Sequence, residues 1–243
     1  MNSEDSVKRI CLWSCPRNIS TATMYSFAQR QDTKVFDEPL YGYYLKETSA
    51  YKYHPGAQEI MDSMPCDGKQ VVQTMLSTSE KPVLFFKNMT HHLLNLDTSF
   101  LKDVVNVLLT RDPRDMIPSF SEVIQNPTMQ DVGYSAHTRI LDTLDQLDAQ
   151  SIVLDSTETL KDPETKLKKL CEFIGIPFDK NMLHWKAGPI PEDGIWAKHW
   201  YKGVHNSTGF KKYERRQKKM PQHLESLLEE CLPHYRVLKE RSI

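Results

Sequence analysis

Residues 104–109 read VVNVLL, an apolar run without polar alternation, followed at once by Thr110, Arg111 and the turn Asp112-Pro113. A strand with one wet face alternates polar and apolar residues, whereas a strand covered on both faces is apolar throughout, a condition met mainly inside parallel sheets. Four more runs of strand length, Arg9 to Trp13, Lys34 to Phe36, Pro82 to Lys87 and Ser151 to Leu154, alternate with stretches of helical pattern. This alternation predicts βαβ units and a mainly parallel sheet in a single α/β domain spanning residues 1–243. Helices are expected at 19–30, 69–78, 113–124, 135–148, 163–174 and 221–230. The clearest of them starts with Asp162 as cap and Pro163 in the first turn, and stops at Gly175.

Composition narrows the function. Acidic and basic residues nearly cancel, leaving a formal net charge of −1, which argues against a nucleic-acid coat or a membrane-surface role and makes any anion site local. The five cysteines are scattered and fit neither a disulfide framework nor paired zinc ligands, so they read as small buried hydrophobes. The opening MNSEDSVKRI lacks the apolar core of a signal peptide, and no run reaches membrane-spanning length, so the chain reads as soluble and cytoplasmic.

Three segments carry chemistry. In SCPRNIST, residues 14–21, a strand hands over to a helix, and the first-turn N–H groups, Ser20, Thr21 and Arg17 together suit a phosphate-like anion. The same residues serve equally as an ordinary capped helix start. In the segment after VVNVLL, Arg111 stands at a strand end and Ser119 follows eight residues later, about two helical turns on. Pro118 would bend that helix enough for Ser119 to share the anion of Arg111. Here the alternative is mutual pairing of Arg111 and Arg114 with Asp112 and Asp115. In HWYKGVHNSTGF, residues 199–210, Gly203 and Gly209 bracket a donor-rich segment that reads as a flexible or plain surface loop. The basic run 211–219, KKYERRQKK, reads as a solvated face.

Taken in order, these segments resemble the sulfotransferases, which move a sulfuryl group from 3′-phosphoadenosine-5′-phosphosulfate (PAPS) to a hydroxyl or amine. PRNISTA stands where that family has P-K-S-G-T-T-W, Arg111 and Ser119 match its Arg and Ser in type and spacing, and Lys202-Gly203 looks like the end of its R-K-G loop. FDEPLY is similar to the EPL of carbohydrate sulfotransferases, and STETLKDPETKLKKLCEFIGIPF to the late strand and helix. The resemblance implies a three-layer α/β/α, P-loop NTPase-like fold. It further implies PAPS as co-substrate with adenosine 3′,5′-bisphosphate (PAP) as product, no metal, a small-molecule acceptor, and neither nucleic acid nor membrane as partner.

By the same resemblance, Arg17, Asn18, Ile19, Ser20 and Thr21 would cradle the phosphosulfate, while Arg111, Ser119, Lys202 and Gly203 would hold the 3′-phosphate. Lys87 would stand beside the transferred group and Glu38 would be the general base, with His91 and His92 as the alternatives. The chain departs from the family at Ile19, which replaces a glycine, at Ala22, which replaces the adenine-stacking tryptophan, and at Met89, which replaces a histidine. Trp200 and Tyr201 are then the candidate adenine platforms. Two other classes compete: an ATP-dependent P-loop kinase-like phosphotransferase, disfavoured by the absence of GxxxxGK[ST], and a non-catalytic protein that binds adenosine 3′,5′-bisphosphate.

Overall fold

The computed structural model describes residues 7–214 and 218–243. All five expected strands form: Lys8–Ser14 (β1), Thr33–Asp37 (β2), Val83–Met89 (β3), Val105–Thr110 (β4) and Ser151–Asp155 (β5). They pair in parallel in the order β2-β3-β1-β4-β5. The polar residue in the apolar run of β4, Asn106, is fully satisfied: it accepts from the Trp13 indole at 3.1 Å and donates to the Leu101 carbonyl at 2.8 Å. A buried amide is tolerated when its bonds are met.

The two-residue period of β1 distributes its side chains to both faces. Ile10 and Leu12 join a core with Met24 and Phe27 of the helix Ser20–Ala28 (α1) and Leu167 and Leu170 of the helix Pro163–Ile174. Cys11 and Trp13 join the opposite core, with Val71 and Met75 of the helix Gly68–Ser77 and Ile140, Leu141 and Leu144 of the helix Tyr134–Leu147. The architecture is therefore three-layered, α/β/α. Each such aliphatic or aromatic side chain contributes about 1.5–3 kcal/mol when fully buried. All five cysteines are free, and four of them are buried.

Helix ends obey local chemistry where the signals are strong. Asp162 accepts the Thr165 N–H at 3.1 Å, and Gly175 stops the helix with φ +79°. Elsewhere the expected limits shift. The helix from Pro113 ends at Phe120, and the last one runs from Glu225 to Glu240 through Pro233 because Cys231 and Leu238 stay buried along it. The tyrosine-rich stretch after Glu38 includes a helix at Tyr41–Glu47 (α2). Among the described residues no helix is long and apolar enough to cross a membrane.

The strand order positions the site. The chain leaves β1 toward β2 and leaves β4 toward β5, in opposite directions, so the carboxyl ends of the neighbours β1 and β4 border a crevice. Open parallel sheets bind ligands at such switch points. Arg17 follows β1 and Arg111 follows β4.

Candidate active site

The turn after β1 is held by side chains instead of glycine. Arg17 adopts φ +52°, in the left-handed region, whereas Ile19, at the position of the missing glycine, has φ −89°. The strained conformation has moved two residues upstream. Asn18 fixes it from both sides, donating to the Leu109 carbonyl of β4 at 2.8 Å and accepting the Ile19 N–H at 2.8 Å. Helix α1 begins without a side-chain cap, so the reading of Ser20 and Thr21 as capping residues does not hold. The first-turn N–H groups beside the cleft remain available to an anion.

Arg17 donates through Nε to Ser119 Oγ at 3.2 Å and through Nη1 to the Trp200 carbonyl at 3.3 Å. Ser119 thereby stands beside Arg17, in the cleft that Arg111 also lines. The Arg111 guanidinium donates to the Arg17 carbonyl, which brings the two cations to one place. Burial and the Arg111 charge push the Arg17 guanidinium down from its ordinary value. Two half-buried guanidiniums held together repel, and an anion between them relieves that repulsion. Both arginines, with Ser119, line one large cleft of about 760 Å³. Arg114 instead pairs with Asp112 at 3.1 Å on the surface.

A second cluster stands at the ends of β2 and β3, whose register pairs Asp37 with Lys87. The Lys87 side chain is fully buried, with Nζ at 2.8 Å from Asp37, 2.5 Å from Glu38 and 2.6 Å from the Tyr201 hydroxyl. Tyr201 donates to Asp37 at 2.7 Å and accepts from the Trp196 indole at 3.1 Å, while the Gly194 N–H donates to Asp37 at 3.0 Å. Burial alone would push Lys87 down, but the Asp37 and Glu38 carboxylates more than offset it and the ammonium is held charged. Glu38, at φ +45°, is pushed up from the usual carboxylate range by burial, countered by Lys87 and reinforced by Asp37. Asp37 and Tyr201 were not foreseen as parts of this cluster. Their signal is the acidic pair in FDEPLY, whose first member closes β2 directly beside Lys87.

Glu38, Lys87, His91 and His92 all line a smaller cavity of about 80 Å³, walled by Tyr41, Phe120 and Trp200. It shares Arg17, Asn18, Thr21, Trp200 and Tyr201 with the larger cleft, so the two are continuous. His91 and His92 end the short 3₁₀ turn Thr90–His92 that follows β3. Burial holds the imidazoles neutral: His91 is pushed down to about 3 and His54 to about 4, and His92 falls well below its ordinary value. Met89 lines the same cavity.

The segment 199–210 is not a flexible loop, since short helices form at Ala197–Trp200 and Lys202–His205. Gly203 lines the larger cleft, but Lys202 is exposed and stands outside both cavity linings. Lys211, Lys212 and Lys218 line that cleft while remaining exposed, in keeping with a solvated face; residues 215–217 of that run lie outside the described residues. Trp200 stacks on Phe120 with centroids 6.0 Å apart and borders both cavities. Tyr201 is committed through its hydroxyl to the lysine cluster.

Comparison with known proteins decides the family. The model described as a sulfotransferase domain matches residues 8–242. The chain belongs to the sulfotransferase-domain family. Two curated Arabidopsis thaliana relatives, branched-chain-amino-acid aminotransferase-like proteins 1 and 2, are 40% and 39% identical to it over 93% of its length. The chain spans only 41% and 40% of those relatives. Among solved structures, mouse sulfotransferase SULT7A1 complexed with PAP has a TM-score of 0.58 at 15% identity, covering 98% of this chain and 90% of that one. The sulfotransferase domain of the Synechococcus PCC 7002 olefin synthase has a TM-score of 0.56 at 13% identity, covering 95% of this chain and 96% of that one. At such identities the sulfotransferase domain and these structures share a fold, and that fold is P-loop-like.

Proposed function

We propose that this sulfotransferase-domain chain moves a sulfuryl group from PAPS to a hydroxyl of a small-molecule acceptor. The observation that carries this reading is the meeting of Arg17 and Arg111 in one cleft, at the switch point between β1 and β4. A donor with a phosphosulfate at one end and a 3′-phosphate at the other needs two cationic places within reach of one molecule. The cleft offers Arg17 with the uncapped start of α1 for the first, and Arg111 with Lys211 and Lys212 for the second. Asn18, Ser20 and Thr21 complete the first place, and Gly203 permits close approach at the second.

The chemistry falls to the smaller cavity. Glu38 Oε1 is occupied by Lys87, while Oε2 lies 4.0 Å from His92 Nδ1 and makes no hydrogen bond among the described residues. Oε2 takes the proton of the acceptor hydroxyl as its oxygen forms a bond to sulfur and the bond from sulfur to the phosphate oxygen breaks. Lys87 stabilises the charge on the transferring sulfuryl oxygens, and Arg17 stabilises the charge left on the phosphate, a part suited to a permanently charged guanidinium. Asp37 and Tyr201 hold Lys87 in place.

Thermal shift tests this reading, because a ligand specific for the folded state raises its stability by mass action. Stabilisation by PAPS and by adenosine 3′,5′-bisphosphate, without magnesium, is expected. Stabilisation by ATP only in the presence of magnesium would instead assign a kinase. Sulfate transfer from labelled PAPS to a metabolite extract separates an enzyme from a protein that merely binds the nucleotide.

A further inference from the structure

We propose that Asp193, which lines neither cavity, is a positioning residue for the nucleotide. Its carboxylate ties the helix that opens the first anion place to the wall that carries part of the second, and so sets the spacing that one bridging donor must match. The proposal rests on the sulfotransferase reading and goes beyond it.

Three elements meet on one oxygen. Asp193 Oδ2 accepts from the Tyr25 hydroxyl at 2.6 Å, from Nε2 of the His205 imidazole at 2.9 Å and from the Ile190 N–H at 3.2 Å. Tyr25 belongs to α1, and burial together with the Asp193 carboxylate pushes its hydroxyl up, so it stays a donor. His205 ends the helix Lys202–His205. The Asp193 side chain is 6% exposed, and its Oδ1 is covered and makes no hydrogen bond among the described residues. Buried polar atoms are almost always paired, so a carboxylate with one bare oxygen is a poor choice for stability alone. The neighbouring acids are engaged elsewhere, Glu192 with Lys34 at 3.8 Å and Asp37 with Lys87 at 2.8 Å.

The wall of the cleft hangs on the strip 184–194. Trp200 and Tyr201 are fixed separately, by Arg17 and Lys87. Beyond them the helix Lys202–His205 is a single turn, too short to persist without tertiary contacts, and Gly203, Val204, Ser207, Lys211 and Lys212 line the cleft along and after it. The Gly188 N–H donates to the His205 carbonyl at 2.9 Å, the Trp185 N–H to the Thr208 carbonyl at 3.1 Å, and the Trp185 indole to Ser207 Oγ at 3.3 Å. The strip reaches β2 through the Gly194 N–H on Asp37, and α1 through Tyr25. Asp193 therefore stands where strip, wall and α1 cross. The two phosphates of adenosine 3′,5′-bisphosphate sit at a separation set by one ribose. If the wall drifts relative to α1, each phosphate can still find its place, but one molecule no longer fills both, and the gain from linked binding is lost.

Calorimetry on the full chain tests this by comparing adenosine 3′,5′-bisphosphate, which spans both places, with adenosine 5′-monophosphate and adenosine 3′-monophosphate, which each fill one. The monophosphates are measured by displacement of the bisphosphate. Asp193→Ala is expected to weaken the bisphosphate at least about tenfold, while each monophosphate changes by less than about threefold. Asp193→Asn, whose amide oxygen still accepts from Tyr25 and His205, should recover most of the loss. A merely structural role would lower thermal stability and leave the ratio of bisphosphate to monophosphate affinity as it was. That unchanged ratio, whether bisphosphate affinity is retained or all three nucleotides weaken equally, would overturn the proposal. Should Asp193→Ala fail to fold, Tyr25→Phe and His205→Ala, which each remove one donor, must show the same selective loss, or the proposal falls. Failure of the unaltered protein to bind the bisphosphate would instead remove the sulfotransferase reading beneath it.

Discussion

Glu38 is held in a backbone conformation that favours glycine, against a fully buried lysine, and with one oxygen left open to the cavity. A general base must be deprotonated to act, so turnover should fall as pH drops through the raised pKa of Glu38. Glu38→Gln should slow turnover about 10²- to 10⁴-fold and flatten that acid limb, while calorimetry shows adenosine 3′,5′-bisphosphate affinity retained. An unaltered rate would move the proton acceptor elsewhere. Arg17 and Arg111 could be singled out from sequence because each stands just beyond a strand's carboxyl end, where a linear pattern reveals position, whereas Glu38 and Lys87 were named only by the resemblance to sulfotransferases. Asp37 and Tyr201 could not: their roles depend on which strand lies beside β2 and on how the late segment folds back. The same holds for Lys211 and Lys212, whose charge run gives no hint of the cleft it borders.

At the scale of elements, strands were legible because burial on both faces leaves an unbroken apolar signature. The tyrosines of α2 carry no such signature, since a ring with a polar tip suits a pocket wall, a core or a helix face equally. The turn bearing His91 and His92 depends on Gly133, which has φ +74° and whose added Cβ would lie 2.6 Å from Thr90 Oγ1. Gly133→Ala should therefore destabilise the fold by about 1–3 kcal/mol through left-handed strain, read by urea denaturation. It should also weaken acceptor binding more than nucleotide binding, because the push falls on the 3₁₀ turn and not on the loop after β1.

For the whole molecule, sheet order was beyond a linear reading: runs announce strands but not neighbours, and the β1–β4 adjacency is what unites Arg17 with Arg111. Burial also sets the response to acid. His54 and His137 are pushed down to about 4 and His91 to about 3, so the unfolded chain binds more protons than the folded one below about pH 6.5. Their stabilising neutrality is complete above that pH and is lost as pH falls toward their folded values. Between pH 6.5 and 5 each such histidine should remove about 2 kcal/mol, so urea midpoints at pH 7.5, 6 and 5 should decline steadily. A flat profile would mean that these imidazoles are not buried neutral.

Asn18 grips the backbone of β4, and Arg111 grips the backbone of the turn at Arg17. The floor of the cleft is thereby sewn to two adjacent strands and can move only with the sheet itself. If the cleft takes a nucleotide as proposed, any widening that admits it falls to the opposite wall, where Trp200, Gly203, Lys211 and Lys212 border the opening.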